Sequence, residues 1–164
     1  VTGRDQILRT IVPSEIFSFR AYFANDDYLT SALSFGHSVV ASVPMTIIDK
    51  LLHTNIQVCR KLIKQLAIEL GKADSRTVSL TQKHIRGRLA ESLITLKNSY
   101  GLEEDGYTLS IYLSREELAN MSNMTTSNAI RTLSAFATDK IIAIDGRKIK
   151  LINEEELKRI SENG

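Results

Sequence analysis

The chain has 164 residues, 43% of them hydrophobic and 24% charged, with eight Gly, two Pro and no Trp. That mixture belongs to ordinary globular protein and excludes a disordered, collagenous or fibrous chain. The net charge is only +2, and residues 81–164 balance twelve Lys and Arg against twelve Asp and Glu, so any case for nucleic acid rests on local geometry rather than overall charge.

No apolar run approaches the roughly 18 residues of a membrane-crossing helix, so no membrane span is expected. Cys59 is the single cysteine. It excludes an intrachain disulfide and a cysteine-based zinc or iron–sulfur site within this chain, and agrees with a reducing, cytoplasmic setting. Val1 to Gly3 begin without a signal or transit pattern.

Residues 1–44 hold short β-rich runs at 6–12, 28–33 and 38–43, separated by Pro13, the Asn25-Asp26-Asp27 turn and Gly36. They predict a strand meander. So few strands leave open edges and an uncovered face. The expectation is therefore that more strands precede Val1, or that this stretch packs on something else.

From Ile56 the period becomes helical. Ile56, Cys59, Ile63, Leu66, Leu70, Ala73, Thr77 and Leu80 recur at alternating steps of three and four, which is a heptad seam suited to pairing two copies of the chain. Leu62 and Ile68 widen the stripe, so a helix buried against its own domain fits the pattern too.

Residues 83–100 predict a helix with Ile85, Leu89, Leu93 and Leu96 on one face, stopped by Gly101. A strand is expected over 107–113. Ser114 with Glu117 three residues later forms a capping box that opens a short helix to about Met121. Ser122-Asn123-Met124 breaks that helix, and Thr125 caps a second one to about Ala137. Ala119 is small where the helices cross, Asn123 suits a left-handed turn, and Met124, Ala129 and Leu133 face inward. Strands at 141–144 and 148–152 flank an Asp145-Gly146 turn of expected type I′. Asn153 and Glu156 cap a last helix.

Helix, tight turn, helix and hairpin make a winged helix, whose second helix enters the major groove with its N-terminal residues at the base edges. Those residues are Thr126, Ser127 and Arg131. Arginine can pair bidentately with guanine, while short hydroxyls can meet a base edge or a phosphate. Thr125, Asn128, Lys140, Arg147 and Lys148 are candidates for secondary or phosphate contact. Other chemistry is absent from the sequence: His37, His53 and His84 are scattered, giving no expected metal site, and no catalytic constellation emerges, so no enzyme is expected.

The runs TQKHIRGRLAESL at 81–93, LSREELA at 113–119 and TTSNAIRTL at 125–133 resemble the Crp/Fnr transcription regulators of bacteria. The resemblance extends over essentially the whole chain. It implies an α+β chain: a partial antiparallel, jelly-roll-like β-roll of the cyclic-nucleotide-binding type at 1–55, lacking its first third, a dimerisation helix at 56–80, and a DNA-binding winged helix-turn-helix domain at 81–164. It also implies a homodimer on a palindromic stretch of double-stranded DNA, with RNA polymerase as a further partner.

Arginine at 131 agrees with the family, whereas Thr126 and Ser127 depart from the Arg-Glu pair of its cyclic-AMP receptor. The sensor departs further. Where cyclic-nucleotide members place a Gly-Glu pair and then an Arg-Ser or Arg-Thr pair, this chain reads Ser18-Phe19 and Leu29-Thr30. Phe19, Leu29 and Thr30 would line a degenerate effector pocket. An anionic cyclic phosphate buried there without arginine would be uncompensated, so ordinary cyclic-AMP binding is not expected. The effector or cofactor is left open, with a redox or haem sensor, or a ligand-binding module docking a protein, as alternatives.

Overall fold

A computed structural model describes residues 5–163, so Val1 to Gly3 lie outside the described residues. The elements are α1 (Arg20–Ala24), α2 (Met45–Thr54), α3 (Ile56–Gln82), α4 (Ile85–Tyr100), α5 (Arg115–Met121), α6 (Thr126–Thr138), β1 (Ile142–Asp145), β2 (Lys148–Leu151) and α7 (Glu154–Asn163). They divide into two units, residues 32–81 and the remainder.

The larger unit has a closed core because its helices present apolar residues at steps of three and four. Leu89, Leu93 and Leu96 of α4 are fully buried, with Leu118 and Ala119 of α5, Ala129, Leu133 and Phe136 of α6, and Leu157 of α7. Ile85, expected on the same face of α4, is 38% exposed, since it lies at the first turn beyond the reach of the core. Gly101 ends α4 at φ 78°, a backbone angle that glycine adopts without a Cβ clash.

β1 and β2 pair antiparallel, with Asp145 opposite Lys148. The two loop residues are thus Gly146 and Arg147, one position later than the expected Asp145-Gly146. Gly146 has φ 56° and Arg147 has none of the positive φ that a type I′ turn demands at both positions. Glycine first in the loop is the type II′ pattern, which explains why the dipeptide signal pointed to the right place and the wrong turn. The strand expected over 107–113 survives only as two isolated bridges, Thr108 with Lys150 and Leu109 with Leu102. The Leu109 amide donates to Ile149 O at 2.9 Å and the Leu151 amide to Tyr107 O at 2.9 Å, laying Tyr107 to Leu109 along β2.

Among the described residues, the β-rich runs at 6–12, 28–33 and 38–43 form no ladder, and residues 20–24 form α1 instead, ended by Asn25 at φ 51°. Strand preference measures fit to a pleated, paired surface, and among the described residues these runs have no neighbouring strand to supply one. The first run makes another contact. The Ile7 amide and the Gln6 side-chain amide donate to Asn120 O at 3.3 and 2.6 Å, and Ile7 packs on the core.

In the smaller unit, α2 buries no residue, and α3 buries only Ser79. Helix α3 continues through Leu80-Thr81, the expected boundary between the dimerisation helix and the DNA-binding domain, and the helical ladder breaks at Lys83-His84.

Candidate nucleic-acid interface

Each helix of the 115–138 pair starts from a side-chain cap. The Ser114 hydroxyl accepts from the Glu117 amide at 3.1 Å while the Glu117 carboxylate accepts from the Ser114 amide at 2.6 Å, completing the capping box. Thr125 accepts from the Asn128 amide at 3.2 Å and begins α6. Between them, Asn123 takes φ 49° and the Met124 amide returns to Ala119 O at 3.0 Å. That six-to-one bond across a left-handed residue is a Schellman ending, with asparagine in the place of glycine.

Burial of Ala129, Thr132, Leu133 and Phe136 turns the other face of α6 outward. Thr126, Ser127, Ile130, Arg131 and Ser134 are exposed on it. The three expected base-reading residues are therefore brought together at the N-terminal half of one solvent-facing helix surface. Arg131 donates through Nη2 to Asn128 Oδ1 at 2.5 Å, so Asn128 orients the guanidinium. Ile130 was not anticipated. Its sign in the sequence was an apolar residue out of phase with the Ala129–Leu133 face, and a branched apolar side chain there can meet a thymine methyl.

The wing reaches the same helix pair through Arg115, whose Nη2 donates to Gly146 O at 2.8 Å. This ties the hairpin tip, with exposed Arg147 beside it, to the start of α5. Lys140 is exposed but sits beyond the C-terminal end of α6, and that helix of 13 residues is about 20 Å long. It is not near Thr126. Lys148 turns back toward Glu103 Oε2 at 3.7 Å and over the Tyr112 ring at 5.2 Å.

Within residues 82–163, most of the other cations are committed to acids. Lys83 pairs with Glu91 at 3.3 Å, Arg86 with Asp139 at 2.5 Å, Lys97 with Glu154, and Lys150 with Asp105 at 3.1 Å. Asp105 also accepts from the Thr108 hydroxyl and from the Thr108 and Tyr107 amides, and these bonds, with Lys150, hold its carboxyl far below the ordinary aspartate range. Glu154 is lowered as well, by Lys158 first and then Lys97. These cations are thus largely neutralised, while Arg131 on the outer face of α6 and Arg147 at the hairpin tip are exposed and belong to none of these ion pairs.

The remaining expected residues fall elsewhere. Phe19 is buried, whereas Leu29 and Thr30 are exposed. The shallow cleft beside α1 is lined by Ala21, Tyr22, Asn25, Asp26 and Asp27, and by none of those three. On α3, Ile56, Ile63 and Leu70 are 68%, 66% and 65% exposed. Leu66 and Ala73 are exposed too, while Cys59 is half-buried and donates its thiol hydrogen to Leu52 O at 3.1 Å. Among the described residues no group of His, Cys, Asp and Glu is arranged to hold a metal, and no helix is long and apolar enough to cross a membrane.

Residues 87–160 match the family described as the Crp-like helix-turn-helix domain. The chain is 22% identical over 158 residues to the CRP-like cAMP-activated global transcriptional regulator of Mycobacterium tuberculosis, covering 96% of this chain and 70% of that protein. It is 27% identical over 145 residues to the anaerobic regulatory protein of Bacillus subtilis, covering 87% of this chain and 61% of the relative. The solved structure of FixK2 from Bradyrhizobium japonicum is similar with a TM-score of 0.66 and 25% identity, over 72% of this chain and 59% of that one. The chain therefore spans 59% to 70% of the length of these relatives.

Proposed function

Because the chain belongs to the Crp/Fnr family of transcription regulators, which are DNA-binding proteins and not enzymes, we propose that it acts in the cytoplasm as a homodimer on a palindromic operator. In this reading residues 1–55 derive from the sensor β-roll, 56–80 pair two copies, and 81–164 bind DNA, with RNA polymerase as a further partner. The observation that carries it is the outer face of α6: Thr126, Ser127 and Arg131 are exposed at the N-terminal half of a helix whose opposite face is buried in the core. Thr126 and Ser127 meet base edges or phosphate, and Arg131, held by Asn128, pairs with guanine. Thr125, Asn128 and Arg147 supply secondary contacts, and Lys140 and Lys148 reach phosphates only at the margins of the footprint.

The apolar residues of α3 support pairing of two copies, because Ile56, Ile63, Leu66 and Leu70 are exposed at heptad spacing. Twofold symmetry then places the two half-sites about 34 Å apart, one turn of duplex. The Mycobacterium tuberculosis relative is named as cAMP-activated. Here the positions that would hold the cyclic phosphate read Leu29-Thr30, and cyclic AMP is expected to leave operator affinity unchanged.

Selection of bound duplexes from a random pool, followed by titration at two salt concentrations, tests the proposal. A recovered palindrome whose affinity falls with salt is the expected result. Absence of any enrichment, with salt-insensitive binding of a protein instead, would overturn it.

A further inference from the structure

Arg88 lies in the first turn of α4, where a cation works against the helix dipole. Its contacts compensate. Nε donates to Ser122 O at 3.0 Å, Nη2 to Asn123 O at 3.1 Å and Nη1 to Lys83 O at 3.0 Å. The first two carbonyls belong to the residues that end α5 and turn the chain into α6. The third belongs to the break that precedes α4. One planar fork therefore closes three backbone carbonyls that lie 34 and 35 residues away in one direction and five in the other.

A second bond runs parallel to the first. Four residues along the same face of α4, Ser92 shares a buried hydroxyl bond of 2.8 Å with Ser122. The neighbouring carbonyls of α5 are already taken, Ala119 O by the Met124 amide and Asn120 O by Gln6 and Ile7. The guanidinium takes Ser122 O and Asn123 O, the next carbonyls along the chain. Carbonyls at a helix C-terminus carry partial negative charge, so a cation here is favourable for α5 even as it is unfavourable for α4.

We infer that Arg88 is a positioning residue for DNA reading: by holding Ser122 and Asn123 against α4 it sets the direction in which α6 presents Thr126, Ser127 and Arg131. The residue itself is half-buried and faces the turn, so it touches no DNA in this scheme. Because the same guanidinium closes on Lys83 O, the backbone at Lys83-His84 and the turn before α6 share one donor group. A lysine cannot replace it, since a compact ammonium lacks the fixed fork that meets three separated carbonyls at once. The inference rests on the DNA-reading assignment above.

The test compares the full chain with Arg88→Met and Arg88→Lys, using the duplex selected by the parent protein and a scrambled duplex of equal length. Arg88→Met is expected to bind the selected duplex about tenfold more weakly, the scale of a lost charged hydrogen bond. Binding to the scrambled duplex and its salt dependence should be unchanged, because the phosphate-facing cations remain. Arg88→Lys should recover only part of the loss. An unchanged ratio of selected to scrambled affinity overturns the inference, whatever happens to the melting temperature. If Arg88→Met does not fold, the ratio is read on Arg88→Lys; if neither folds, Arg88 is a determinant of folding and the inference is overturned. If the parent enriches no duplex, the DNA-reading assignment falls and this inference falls with it.

Discussion

Helices α4 to α7 and helix α3 are built from similar proportions of Leu and Ile, yet they do opposite things with them. In the 82–163 region the apolar residues close on one another, and Leu89, Ala129, Phe136 and Leu157 are fully buried. On α3 the same residue types at the same spacing stand open, and Ser79 is the single buried residue. An amphipathic helix gains most of its stability from what covers its apolar face. One region carries its own cover, and the other has a stripe suited to a second copy.

The largest expected effect attacks this contrast directly. Phe136→Ala should cost about 3–5 kcal/mol of folding stability, the usual range for emptying an aromatic site in a closed core. Ile63→Ala on α3 should change unfolding of the dilute chain by less than about 0.5 kcal/mol, while weakening self-association seen by sedimentation. Equal destabilisation by both at every protein concentration would mean that the α3 stripe is covered within one chain.

Arg131→Ala should lose ~1–3 kcal/mol of specific DNA binding with the fold intact, as measured by titration and thermal melting side by side. Parental affinity in that variant would remove Arg131 from the reading face. The two caps then separate stability from recognition. Ser114→Ala and Thr125→Ala should each cost about 1 kcal/mol of folding stability, but only Thr125→Ala should also weaken DNA binding. Identical DNA affinities in the two variants would leave Thr125 as a cap alone.

The smallest effect is acid-dependent. Asp105 titrates lower in the folded chain than its ordinary value of 3.8. The folded state therefore binds its proton less readily, so its contribution is present above that value and fades as the pH falls below it. Amide exchange at Tyr107 and Thr108 should quicken in that acid range, and Asp105→Asn should show fast exchange already at neutral pH. A variant with parental protection would show that the carboxylate does not organise this loop.

Much of the α5–α6 pair was legible because its signals are local. The Ser114–Glu117 box, the Thr125 cap, the left-handed Asn123 and the inward set of Ala129 and Leu133 each depend on residues within one or two turns. Where the outcome hung on pairing, legibility stopped. The β-rich runs before residue 44 needed neighbouring strands and form no ladder among the described residues. The hairpin register moved the turn by one residue, because cross-strand pairing placed Asp145 in β1. Ile130 carries no polar signal, and an apolar residue on a helix reads as core in a sequence although this one is exposed.

From the sequence alone come the caps, the helical period and the break at Ser122 to Met124, all consequences of short-range hydrogen bonding and side-chain spacing, and, separately, the family resemblance carried by the runs at 81–93, 113–119 and 125–133. Tertiary structure alone decided what each cation does. Lys83, Arg86, Arg88 and Lys97 look alike in the sequence, a basic cluster on one helix and its approach. Folding gives Arg86 the Asp139 carboxylate 53 residues away, Lys97 the Glu154 carboxylate 57 away, and Arg88 the carbonyls at the turn before α6. A charge is read or neutralised by whatever the fold brings within a few ångströms of it, and sequence distance carries no record of that.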